Sequence, residues 1–135
     1  MVMTNITAIA KTIDELVHRT ADDKFEMDAK LYGCDPDGAY LLGESPNPYD
    51  LLGCIDRPEQ LDAVALVVTG YAAPEGSTTP PREHPERIRV RLVVCKNIDG
   101  FSNIMRREDT PDEVEDLGDG GVGVMRDAME AWWAQ

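Results

Sequence analysis

The chain is poor in the residues that most often reveal chemistry. Its 135 residues include two histidines and three cysteines, Cys34, Cys54 and Cys95. No pair of these has the close C-x-x-C or H-x-x-x-H spacing of a metal centre, so neither metal nor cofactor is expected. An odd, scattered set of thiols suits a reducing cytoplasm better than a disulfide framework. No apolar run approaches the ~18 residues of a membrane span, and no basic-then-apolar stretch opens the chain, so no membrane partner is expected. Positive charge is the scarcest resource: 13 Lys and Arg stand against 26 Asp and Glu, a net −13. Direct binding to nucleic acid or to an anionic surface is disfavoured, because both repel such a protein at long range.

What is present fits one domain spanning residues 1–135, with 42% apolar and 29% charged residues. Ile6, Ile9, Ile13, Leu16 and Val17 recur at helical spacing, with Thr4 or Asn5 as N-cap and Lys11, Asp14, Glu15, His18 and Arg19 off the apolar stripe. Residues 24–31 alternate charged and apolar, which predicts a strand with Phe25, Met27 and Leu31 facing a core. Asp35-Pro36-Asp37-Gly38 has turn chemistry, so 39–43 should return as a hairpin strand, and Pro48 can open a short helical turn through Leu51 and Leu52. Residues 61–71 are apolar on both alternate sets and read as a central strand covered on both faces. Residues 73–86 hold Pro74, Pro80, Pro81 and Pro85 and read as a mobile proline-rich loop. Residues 87–95 and 101–105 give two more strands across an Asp99-Gly100 turn. Residues 108–123 read as an acidic, glycine-rich linker, and Met125, Ala128, Met129, Trp132 and Trp133 as a closing helix. With no strand-helix-strand alternation, the expectation is an α+β fold: about five mainly antiparallel strands, with the N- and C-terminal helices packed on one face.

The charge is uneven. Residues 1–81 are net −9, residues 82–107 net +4 and residues 108–135 net −8. Within the basic segment Arg87, Arg89 and Arg91 alternate, so a strand places them on one face, where their planar forks could bind a carboxylate or phosphate. Pairing with acids of a neighbouring strand, Glu26 and Asp28, is the simpler expectation, and the row should be largely self-neutralised. The candidate binding residues are therefore Arg87, Arg89 and Arg91, His84 in the proline loop, and Trp133. Adjacent tryptophans on a helix diverge by ~100°, so one of Trp132 and Trp133 should complete the core and the other be left at the rim as a docking anchor.

The glycine-rich run 118–123 lacks the Lys and Ser/Thr of a phosphate loop and follows a dense acidic stretch. The many adjacent carboxylates lie in polar surroundings, unlike the unequal pairs that do acid/base work. The reading these features favour is a non-catalytic binding or accessory domain whose partner is a protein or a second copy of the chain. A small enzyme using Cys34 or Cys54 and an acidic DNA-mimicking decoy are the alternatives.

Overall fold

The computed structural model describes residues 5–74, 76, 78–119 and 124–135, and Thr4 and most of the 118–123 run lie outside them. Helix α1 (Ile6–Thr20) is followed by strands β1 (Ala29–Asp35) and β2 (Gly38–Ser45), helix α2 (Pro48–Cys54) and strand β3 (Ala63–Ala72). Strands β4 (Ile88–Asn97), β5 (Gly100–Arg107) and β6 (Thr110–Gly118) and helix α3 (Val124–Trp133) complete the order. The strands form one antiparallel sheet in the order β2-β1-β3-β4-β5-β6, and the class is α+β.

Local chemistry accounts for most boundaries. Asn5 caps α1, its side chain accepting from the Ala8 N–H at 3.1 Å, and Asn47 caps α2 ahead of Pro48 in the same way. Gly38 turns the first hairpin at φ 137°, a conformation that side-chain-bearing residues rarely adopt. β3 lies third in the sheet with both alternate sets buried, as its double apolar pattern requires.

Three expectations need correction. The alternation at 24–28 is not a strand: the Asp23 carboxylate accepts the N–H groups of Phe25 and Glu26 (3.1 and 3.0 Å) and curls the chain there. Phe25 is buried nonetheless, and β1 starts at Ala29. The stretch expected to be a linker contains the sixth strand, β6, despite its acids, because its backbone pairs with β5 while eight of its nine residues stay exposed.

The terminal helices do not share a face. Ala63, Ala65 and Val67 of β3 pack with Ala10, Ile13 and Val17 of α1, while Val64 and Leu66 pack with Leu51 of α2 and with Met129 and Trp132 of α3. A strand apolar on both sides needs cover on both, and each terminal helix supplies one side.

Candidate functional site

Arg89 and Arg91 share one face of β4, the face that α1 covers in part, whereas Arg87 falls one residue before the strand begins. Val93 and Cys95 continue the same alternate set into the α1 core. The row therefore passes from solvent into the interior. Arg87 is exposed, donating to the His84 carbonyl at 3.2 Å with its guanidinium 5.2 Å from the Tyr71 ring centroid. Arg89 pairs with Glu26 at 2.7 Å, the cross-segment neutralisation expected of it. Arg91 is fully buried.

Directly across the ladder from Arg91 stands Arg106 of β5, also buried. Two like charges in that position repel each other unless a counter-charge lies between them. Asp14 of α1, 1% exposed, supplies it. Its Oδ1 accepts from Arg91 Nε and Nη2 (3.0 and 2.8 Å), and its Oδ2 accepts from Arg106 Nε and Nη2 (3.0 and 2.8 Å). Arg91 Nη1 also donates to the Lys24 carbonyl and Arg106 Nη1 to the Pro111 carbonyl, so the cluster joins α1, the 21–28 segment, β4, β5 and β6. With both carboxylate oxygens filled, this is a clamp and not an open anion site.

The sequence carried an overlooked sign of the clamp. The buried positions of α1 are 10, 13, 14 and 17, the spacing of a helix stripe, and Asp14 sits on that stripe, not off it. His18, one turn on, has its pKa lowered by burial first and then by Arg106, Arg91 and Lys24.

The other candidate side chains are dispersed. Cys34 and Cys95 are buried on the α1 face, whereas Cys54 is exposed at the end of α2. Burial, helped by Asp35 and Asp62, pushes the Cys34 thiol up to about 11, and burial pushes Cys95 up as well. Neither is a thiolate near neutral pH. His84 follows the single 3-10 turn Pro81–Glu83 of the proline loop, where its Nδ1 accepts the Glu86 N–H at 3.0 Å. Among the described residues, no three His, Cys, Asp or Glu side chains are grouped to hold a metal ion.

The two tryptophans divide as their divergence requires. Trp132 is buried and donates Nε1–H to the Ile55 carbonyl at 2.7 Å. Trp133 is half-buried at the rim, with the Arg57 guanidinium 4.6 Å from its ring centroid and Lys96 Nζ 5.8 Å away. Its rim position is thus shared with two cations of the same chain.

Cavities of about 460 and 440 Å³ flank Arg89 at the solvent end of the row. The first is lined also by Glu26, Tyr71 and Arg82 and the second by Arg87, Glu108 and Asp109, so acids share both. Further open features lie at the sheet edges, which the sequence did not single out. On β2, Tyr40 and Leu41 are exposed, with Tyr49 of α2 close in sequence. The Tyr40 ring lies across Gly33 of β1, where a Cβ would come within 3.0 Å of Tyr40 Cζ. The bulge opposite Leu31 and Tyr32 leaves Gly38–Leu41 as one regular edge segment, free of charge and of proline. Beside it, a cavity of about 500 Å³ separates α1 from the β1–β2 hairpin, lined by Ile9, Ile13, Cys34, Ala39, Asp35 and Asp62 among others. β6, the opposite edge, carries Asp112, Glu113, Glu115 and Asp116, two register irregularities, and Pro111, which cannot donate.

Comparison of the chain with known protein families, with curated proteins and with solved structures gives no match.

Proposed function

We propose that this chain is a non-catalytic protein-interaction domain that takes an extended segment of a partner protein onto the β2 edge, as a seventh strand. The observation that carries this reading is the Gly38–Leu41 edge: regular, uncharged and ending in the exposed Tyr40 and Leu41. An edge strand offers a row of backbone donors and acceptors, and proteins that do not use an edge usually blunt it with charge, proline or bulges. β6 is blunted in all three ways and the Gly38–Leu41 segment in none.

Strand addition draws affinity from backbone bonds and specificity from side-chain pockets beside the edge, and the cavity next to β2 supplies such a pocket. Net charge −13 favours neutral or basic partners over nucleic acid and acidic surfaces. Three unpaired thiols fit a reducing compartment such as the cytoplasm. A second copy could also pair through β2, because antiparallel edge pairing is compatible with two-fold symmetry.

Selection of nine-residue peptides from a displayed library on the purified chain tests the reading. We expect binders that lose affinity with Leu41→Lys and keep it with Leu117→Lys on β6. Binders indifferent to Leu41→Lys would overturn the edge assignment. Sedimentation of the protein alone separates a partner segment, which leaves a monomer, from a second copy, which gives a dimer removed by Leu41→Lys.

A further inference from the structure

The cavity between α1 and the β1–β2 hairpin has a chemistry of its own. Its wall on α1 is Ile9 and Ile13, its wall on β2 is Ala39, and Cys34 lines it from β1. These surfaces are apolar or weakly polar. Cys34 is 6% exposed, and its thiol makes no hydrogen bond among the described residues. Asp35 and Asp62 also line the cavity, held together by the Asp62 N–H donating to the Cys34 carbonyl at 2.9 Å. Asp35 Oδ1 accepts the Asp37 N–H at 2.8 Å. Among the described residues neither carboxylate has an ion pair, although Glu26, Glu44, Asp14 and Asp109 all do. Both aspartates line this cavity and the one beside Tyr40 and Gln60, and both help raise the Cys34 thiol.

We infer that this cavity is the anchor pocket of the β2 edge and that it takes a lysine or arginine side chain of the partner segment. The inference rests on the strand-addition reading above. The aliphatic stem of the anchor lies on Ile9, Ala39 and Cys34, and its charge meets Asp35 and Asp62. Long basic side chains are built for such a site, with an apolar stem and a charged head. An acidic side chain is rejected by the same two carboxylates, and a purely apolar one leaves them unanswered. The thiol takes no covalent part. At neutral pH it is protonated, and it serves as a small, weakly polar wall.

Hexylammonium, 1-hexanol and hexanoate share an apolar body and differ in charge, so they separate stem from head. Each is titrated into the ¹⁵N-labelled protein at 0.15 M salt, and amide shifts are followed. Hexylammonium should give saturable shifts at Ile9, Thr12, Cys34 and Ala39, with affinity about tenfold above hexanoate, since two carboxylates a few ångströms away act through partly aqueous surroundings. Asp35→Asn with Asp62→Asn should remove that preference while leaving hexanol unchanged. Ala8→Leu, which fills the mouth of the cavity from an exposed helix position, should weaken all three.

Hexanoate binding as well as hexylammonium would overturn the inference. So would hexylammonium shifts that fail to saturate and spread along Asp112–Asp116, which would mean attraction by net charge alone. If Leu41→Lys abolishes peptide binding but hexylammonium does not select the cavity, the strand-addition reading stands and the anchor assignment falls. If hexylammonium selects the cavity but peptide binding ignores Leu41→Lys, the strand-addition reading is the one that fails.

Discussion

At one edge of the sheet, β6 shows solvent four carboxylates and a proline; at the other, β2 shows Tyr40, Leu41 and a charge-free backbone segment. The two edges are also fastened differently. β6 is tied to the interior from below, because the Arg106 guanidinium that donates to the Pro111 carbonyl is itself held by Asp14 on the buried face of α1. β2 is held by its ladder to β1 and by α2, whose Leu51 and Leu52 pack into the second core. The contrast teaches that a strand with almost no buried side chains can be a permanent part of a sheet when one buried cation reaches it. β2, which has no such tie, is the edge that the proposed function assigns to pairing.

The largest effect should come from cutting that tie. Asp14→Ala leaves buried Arg91 without a counter-charge and Arg106 with only the half-exposed Glu15 at 3.3 Å, and we expect a loss of about 3–5 kcal/mol in urea unfolding, with β6 amides exchanging fastest. Replacing Asp14, Arg91 and Arg106 together by apolar residues of similar volume should recover much of that loss, because the cost lies in the orphaned charges.

Next in size is the support beneath β2. Trp132→Phe removes the Nε1 bond to the Ile55 carbonyl and opens a gap between α3 and α2. About 1–3 kcal/mol is expected, read as a lowered denaturation midpoint.

Exchanging the character of the edges should alter association more than stability. Asp112→Asn, Glu113→Gln, Glu115→Gln and Asp116→Asn together should leave stability within about 1 kcal/mol yet make the protein self-associate in sedimentation. Monomeric behaviour of this variant would show that charge is not what protects β6.

The smallest effect concerns His18. Burial and the neighbouring Arg106, Arg91 and Lys24 lower its folded pKa below the unfolded value near 6.5, against a weaker opposite pull from Asp14. Its neutral form is thus the one the fold prefers. The stability it contributes is present above about pH 6.5 and is lost as pH falls through that value toward the folded pKa. The denaturation midpoint should drop between pH 7.5 and 5.5 more in the natural protein than in His18→Gln.

The sequence foretold what depends on local chemistry and missed what depends on pairing across long separations. Asn5, Pro48 and Gly38 act within a few residues of themselves, so the helix starts and the hairpin turn could be read directly. The doubly apolar β3 announced cover on both faces, which is the reason one helix lies on each side. β6 was illegible because an exposed edge strand has no apolar alternation to display, and its acids and glycines imitate a linker.

The arginine row shows the same divide. Alternation put Arg89 and Arg91 on one strand face, with Arg87 just before the strand, but nothing local to β4 says that α1 stops short of Arg89 and covers Arg91. Asp14 on the stripe 10-13-14-17 was the available sign, since an acid among buried helix positions requires a buried cation somewhere. The cavity beside β2 depends on how α1 lies over the sheet, for which the chain carries no local signature.

The most direct test of the edge contrast is amide hydrogen exchange of the natural protein with and without a library-selected peptide bound. We expect new protection at Gly38–Leu41 of β2 and none along Thr110–Gly118 of β6. Protection appearing on β6 with β2 unchanged would contradict the assignment.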